Sequence, residues 1–290
     1  MVGRAVSASY TRDELMACCI SRQLRDGDLV AQGIATPMVL TGYLLAKLTH
    51  APNLTILSAT GNSISRGWQP LSFVRSDAMW LDRPLRRLHF DEISCEILPT
   101  LEPKEFLRPA QVDQIGNFNN LWIGSGGQPR LRLPGCGGIA DITPFYTRIY
   151  LYVPRHSPRV FVPRVDCVSG LGSPCVRDAG PRFYYLVSDM GQFDLHDGRL
   201  RITALHPGST LEQVRAATGF ELQVAAPLPE TEPPTAVELS AIRDRIDPLG
   251  VRRLEFLSGQ ARMDAIRHLI ALEGAWESPA ASRANTTEGV

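Results

Sequence analysis

The residues of this 290-residue chain that could do chemistry are few, and they gather around turns. Ser58, Thr60 and Asn62 follow the apolar run Leu54–Ser58 and bracket Ala59 and Gly61. Hydroxyls and an amide at the exit of a buried strand stand where an open α/β sheet places its ligands. Gly33 closes a second short strand, Leu29-Val-Ala31, and Gln111 opens Gln111-Val-Asp-Gln-Ile-Gly-Asn117, a strand-exit loop of turn formers. The glycine-dense runs Ile123-Gly-Ser-Gly-Gly127 and Leu133-Pro-Gly-Cys-Gly-Gly-Ile-Ala140 include Gly137 and Gly138. Their backbone amides could approach an oxyanion closely, or the runs could be tight turns between strands.

Other candidates are weaker. Gly135 to Ala140 spells the loose GxGxxA form of a dinucleotide fingerprint, yet no clear strand precedes it and Asp141-Ile-Thr-Pro144 starts a helix poorly. Cys136 could be a reactive thiol beside glycine amides or a small filler in a tight loop. His156 and His206 lie at strand or loop ends, in structural rather than catalytic contexts. HExxH, GxSxG, a Walker A loop and an EF-hand loop are all missing from the sequence. Nor is there a single glutamate between Glu14 and Glu92.

The elements that must position these residues follow from local signals. Thr11-Arg-Asp-Glu14 is a capping box, opening a helix with Leu15, Cys18, Cys19 and Ile20 on its apolar face and an end near Gly27. After the strand Leu29–Ala31, Pro37 suits the first turn of a helix carrying Val39, Leu40, Tyr43, Leu44, Ala46 and Leu48. With the strand Leu54–Ser58 this makes a βαβ unit, hence parallel strands. Residues 66–87 form an excursion with short helices, and the chain from Phe106 to Val112 is extended but interrupted by Pro109. Strands then dominate: 148–153, 160–162, 183–187, 191–195 and 200–204. A second capping box, Ser209-Thr-Leu-Glu212, opens a short helix, Pro227–Thr235 is a linker or surface arm, and a helix over 236–246 stops at Asp247-Pro248. Residues 1–250 make one α/β domain with a strand-rich second half, 251–276 a helical extension and 277–290 a polar tail without fixed structure.

Composition narrows the function classes. Thirty basic and thirty acidic residues cancel, so no net field points to nucleic acid or a membrane surface. The apolar run from Ile34 to Leu48 is too short and too broken to span a bilayer, and Met1–Tyr10 has no signal-type apolar core. Six cysteines without a CxxC pair argue against a disulfide framework or zinc site and fit a reducing, cytoplasmic setting.

In order and spacing, several segments together resemble the β subunit of family I CoA-transferases, of the glutaconate CoA-transferase type. They are Asp26-Gly-Asp-Leu-Val-Ala-Gln-Gly33 with Pro37, Leu48-Thr-His-Ala-Pro-Asn-Leu54, Ala110–Asn119, Gly135-Cys-Gly-Gly138, Val165–Gly172, Ser188-Asp-Met-Gly191, His206-Pro-Gly208 and Ile246-Asp-Pro248. The resemblance implies the CoA-transferase fold, an open and mostly parallel sheet with flanking helices. It also implies a homologous α subunit as partner, an active site near the subunit interface and an acyl-CoA substrate. No separate cofactor is implied, since coenzyme A enters as part of the substrate.

In typical members a β-subunit glutamate attacks the thioester and carries CoA, splitting one hard exchange into two easier steps. Alignment through Ala51-Pro-Asn-Leu-Thr-Ile-Leu-Ser58 puts that glutamate at Ala59, whose methyl group cannot attack anything. Two divergent branches also lack it: one resembles a hydrolase of a CoA-linked steroid fragment whose glutamate comes from the α partner, the other a methylglutaconyl-CoA decarboxylase with a cysteine in its place. The resemblance further implies that Gly33, Gly137 and Gly138 offer backbone N–H groups to a thioester or carboxylate oxygen. The expectation is a catalytic subunit that hydrolyses, cleaves a C–C bond or decarboxylates. The alternatives are a true transferase with its nucleophile on the partner, or a non-catalytic subunit.

Overall fold

A computed structural model of the chain describes residues 9–58, 61–76, 80, 84–173 and 182–274. In chain order its strands are β1 (Leu29–Gln32), β2 (Thr55–Ser58), β3 (Ser63–Ser65), β4 (Arg86–Arg87), β5 (Lys104–Leu107), β6 (Gln111–Val112), β7 (Phe118–Asn119), β8 (Trp122–Ser125), β9 (Gln128–Arg132), β10 (Arg148–Val153), β11 (Phe183–Ser188), β12 (Gly191–His196), β13 (Arg199–Leu205) and β14 (Gln223–Val224). Ten of them form one sheet in the order β14-β13-β12-β11-β10-β5-β1-β2-β3-β4. The centre, β2, β1, β5, β10 and β11, is parallel. Antiparallel strands β3 and β4 finish one edge, and β12 and β13 extend the other. This is the open, mostly parallel sheet expected from the βαβ unit.

Side-chain alternation sorts the sheet into two apolar faces. Val30, Phe106, Tyr150, Tyr152, Tyr185 and Val187 pack on helix α1 (Arg12–Ser21) and helix α2 (Pro37–Thr49). Ala31, Leu57, Leu107, Leu151, Val153 and Leu186 face the other side, against Ile93, Leu98, Phe118, Ile142 and Phe161. Among the described residues no helix is long and apolar enough to cross a membrane.

The capping box of α1 forms as expected, and Glu14 does more than cap. It accepts the Thr11 N–H at 2.9 Å and Arg243 at 2.6 and 2.8 Å. Burial pushes its carboxyl upward, but Arg243, the Thr11 N–H and Arg252 outweigh that and hold it at about 2. Arg252 is 1% exposed and pairs with Asp13 at 2.7 Å and Asp247 at 2.8 Å. Residues 251–255 are therefore anchored in the core beside α1, with Val251 and Leu254 buried there.

Some local expectations shift. The second capping box forms one residue later, between Thr210 and Gln213, because Thr210 takes the extended backbone that a cap needs. The 160–162 strand is reduced to one bridge, Val112 to Phe161. The 227–235 arm is docked: Leu205 N–H bonds Pro229 and Thr231 N–H bonds Leu205. The 66–87 excursion ends in edge strand β4 rather than a helix, and its residues 77–79 and 81–83 lie outside the described residues.

One side chain wedges the centre of the sheet. β5 pairs with β1 only at Val30–Lys104 and Ala31–Glu105, then with β10 at Tyr150–Phe106 and Leu151–Leu107. Where β1 and β5 part, the buried Tyr43 Oη lies 3.0 Å from the Ala31 carbonyl and 3.2 Å from the Lys104 carbonyl, and accepts the Phe106 N–H at 3.2 Å. Removing this hydroxyl strands buried backbone groups. Tyr43→Phe should therefore lower the unfolding free energy by about 1–2 kcal/mol in urea titrations with an unchanged m-value. An unchanged midpoint would show that the wedge contributes nothing.

Candidate active site

Two cavities open at the carboxyl ends of the central strands, one on each side of the loop after β1. The first, about 810 Å³, is lined by Gln32–Pro37, Leu71, Phe73, Trp80, Leu254 and Glu255. The second, about 710 Å³, lies over Ala31, Leu57, Glu105, Leu107, Ile142 and Val153, with Gly135, Gly137 and Gly138 at its rim. Gln32 to Thr36 and Arg262 of the C-terminal helix Gly259–Leu272 line both. Within the shared loop Ala35 takes a left-handed φ of 53° and Thr36 Oγ1 donates to the Gly33 carbonyl at 3.4 Å. Glu273 holds the far wall of the first cavity by accepting the Phe73 N–H at 2.7 Å, the Val74 N–H at 3.2 Å and the Ser72 hydroxyl.

The structure gathers only part of the residues singled out from sequence. Gly33, Gly137 and Gly138 meet at the second cavity. Ser58 ends β2 but its buried hydroxyl accepts the Gly61 N–H at 2.9 Å, fixing the turn. Gly61 must be glycine there, since a Cβ would come within 2.3 Å of Trp80. Ala59 and Thr60 lie outside the described residues. Asn62, exposed and left-handed at φ 46°, lines neither cavity. Gln111 also faces away: its side chain binds Asn119 Nδ2 at 2.8 Å, Asp166 N at 3.0 Å and Asp166 Oδ2 at 3.1 Å, clamping the β6–β7 hairpin. The Gly135–Ala140 match is no dinucleotide loop, because it follows hairpin β8–β9 and starts a helix of four residues, Ile139–Ile142.

Two glutamates, neither prominent in the sequence, lie at these strand ends in opposite circumstances, Glu255 buried and Glu105 half-buried. Glu255, in the first cavity, accepts the Met38 N–H at 2.8 Å, the Tyr152 hydroxyl at 2.8 Å and Arg108 at 3.0 Å. It is a saturated structural anchor for the start of α2. Glu105, in the second cavity, receives no hydrogen bond and no ion pair among the described residues. Its Oε1 lies 3.4 Å from where a Cβ on Gly33 would be, so it rests against the strand-end loop. The nearby Tyr146 hydroxyl donates instead to the Leu98 carbonyl at 2.8 Å. Burial, with nothing to offset it, pushes the Glu105 carboxyl up to about 7. On β1, Gln32 is 9% exposed with its Oε1 unpartnered among the described residues. Arg155 and Arg262 reach the rim as exposed cations.

His156 and His206 are locked inside. His156 is held between the Ser188 and Thr218 hydroxyls at 3.0 Å each and stacks on Phe161. His206 bonds Thr231 Oγ1 at 2.9 Å and the Ser188 carbonyl at 2.8 Å. Neither touches a cavity.

No family model matches the chain. Its relatives are informative. Over 270 residues, 86% of this chain and 99% of the relative, it is 32% identical to the cholesterol ring-cleaving hydrolase IpdB subunit of Mycobacterium tuberculosis. The chain belongs to the family of CoA-transferase β subunits and their hydrolase and decarboxylase branches. It is 29% identical to the β subunit of glutaconate CoA-transferase from Acidaminococcus fermentans over 83% of this chain and 94% of the relative. The crystal structure of that organism's glutaconate CoA-transferase matches with a TM-score of 0.71 at 25% identity, covering 87% of this chain and all of that one (100%). The crystal structure of the decarboxylase AibA/AibB matches with a TM-score of 0.75 at 31% identity, covering 84% and 98%. The family's reactions thus include transfer, hydrolysis and decarboxylation, and its subunit names are those of multi-chain enzymes.

The unpaired carboxyl has a thermodynamic signature. The unfolded chain releases the Glu105 proton near the ordinary glutamate value of 4.5, the folded chain near 7, so native stability falls as pH rises between these values. Glu105→Gln should unfold like the parent at pH 4.5 and be more stable by about 2 kcal/mol at pH 8.5 in paired denaturation curves. A difference independent of pH would show that the carboxyl is solvated.

Proposed function

We propose that this chain is the β subunit of a hetero-oligomeric enzyme acting on a carboxylated acyl-CoA thioester by hydrolysis, C–C cleavage or decarboxylation, without a glutamyl-CoA intermediate. One observation carries the reading: the sequence has Ala59 where the resemblance to the transferases puts the glutamate, in a chain that otherwise spans nearly the whole length of a ring-cleaving hydrolase subunit. The second cavity takes the reacting acyl group. Backbone N–H groups of Gly33, Gly137 and Gly138 serve its carbonyl oxygen, and Arg155 and Arg262 suit a second carboxylate or the phosphates of CoA. Ser58 fixes the turn after β2 through the Gly61 N–H. The partner subunit closes it.

The test uses the chain co-expressed and purified with its α-subunit partner. Incubated with glutaconyl-CoA and acetate, the complex should form no acetyl-CoA above background, and borohydride or hydroxylamine should reveal no CoA thioester on either subunit. Efficient CoA exchange with a trapped glutamyl-CoA on the partner would establish a true transferase instead. Free CoA, shortened acyl-CoA or carbon dioxide is the product expected from whichever thioester the complex accepts.

A further inference from the structure

At the two cavities the molecule holds two glutamates with opposite surroundings, Glu255 buried and Glu105 half-buried. Glu255 has three donors on its carboxylate and is fully committed to holding α2. Glu105 has none among the described residues. A half-buried carboxylate set on an apolar sheet face without a donor is costly, and a merely structural position would be filled as well by leucine or glutamine. Its neighbours on the same sheet face, Ala31, Leu57, Leu107 and Leu151, are all apolar. The group is nevertheless reachable, since it forms part of the wall of a cavity of about 710 Å³. It also lies at the parting of β1 from β5, the crevice where parallel sheets accept ligands.

We propose that Glu105 is the proton-transfer residue of this site. The inference rests on the acyl-CoA reading above. As a carboxylate, Glu105 takes a proton from a water whose oxygen bonds to a carbonyl carbon of the acyl chain. The C–S or C–C bond at that carbon then breaks, its electron pair stays with the departing sulfur or carbon, and Glu105 returns the proton there. One water is consumed, nothing is oxidised or reduced, and Glu105 ends as it began. A carboxyl whose burial raises it to about 7 is half-loaded at neutral pH, suited to both halves of this exchange. The same burial makes it a poor candidate for the ionised nucleophile missing at Ala59.

The experiment compares wild type, Glu105→Gln and Glu105→Asp in the complex with the α subunit, using glutaconyl-CoA and acetoacetyl-CoA as probes. Glu105→Gln should lower kcat on the order of 100-fold or more while probe binding, read by calorimetry, changes less than about threefold. Glu105→Asp should retain partial activity. The wild-type rate should show a limb near pH 7 that vanishes in Glu105→Gln. An unchanged kcat and pH profile in Glu105→Gln would overturn the proposal, as would isolation of Glu105 as a CoA thioester. Infrared titration reads the group without any turnover: a protonated carboxyl band present in wild type near pH 6.5, absent in Glu105→Gln, is the expected result. Titration in the ordinary carboxylate range overturns the proposal even if the complex proves to be a hydrolase. If CoA exchange is found instead, the acyl-CoA cleavage reading fails while this band still decides the state of Glu105.

Discussion

The site depends on a parting in the middle of the sheet. β5 shares two residue pairs with β1 and then two with β10, so the carboxyl end of β1 is left without a neighbour on that side. A gap between parallel strands exposes backbone groups that must find partners in a water-poor interior. The Tyr43 hydroxyl, carried in by α2, meets the Ala31 and Lys104 carbonyls and the Phe106 N–H at that point. The crevice can therefore exist without orphaned backbone. The loop Gln32–Thr36 runs through it, and a cavity opens on each side.

The two cavities differ in what their glutamates are free to do. In the first, the main chain of α2, a tyrosine and an arginine neutralise Glu255, and the wall beyond is tied down by Glu273 on the C-terminal helix. That side is structural. In the second, apolar side chains desolvate Glu105 and supply no compensating donor, an arrangement that costs stability and is found where a group must exchange protons. Gly135, Gly137 and Gly138 stand among the residues that line this second cavity. The crevice is thus present while the position where the resemblance puts a nucleophile holds alanine in the sequence.

Much of the scaffold was legible in the sequence because its signals are local. The Thr11–Glu14 box, Pro37 at the start of α2 and the run ending at Ser58 each declare an element within a few residues, and the βαβ order then dictates parallel pairing. The site was legible only in part. Gly33, Gly137 and Gly138, singled out through the family resemblance, line one cavity, whereas Gln111 looked like a binding residue and is consumed by Asn119 and Asp166, partners that only the tertiary fold brings near. Glu105 escaped notice because it lies in the charged string Glu102-Pro-Lys-Glu105, which has the composition of a solvated loop, and β5 begins at Lys104 rather than at Phe106. Its partial burial comes from the strands β1 and β10 that flank β5, which no local window contains. Glu255 was hidden for the same reason, lying past the helix stop at Asp247-Pro248 in a segment that returns to the core through Arg252.

The most direct measurement is a structure of the complex of this chain and its α subunit with a non-cleavable thioether analogue of glutaconyl-CoA. The account predicts that the analogue's reacting carbonyl lies in the second cavity, within about 4 Å of the Glu105 carboxyl or separated from it by one bridging water, with its oxygen toward Gly33 or Gly137 and Gly138. An acyl group seated in the first cavity against Glu255, or one turned away from Glu105 toward a partner-subunit carboxylate poised for covalent attack, would contradict it.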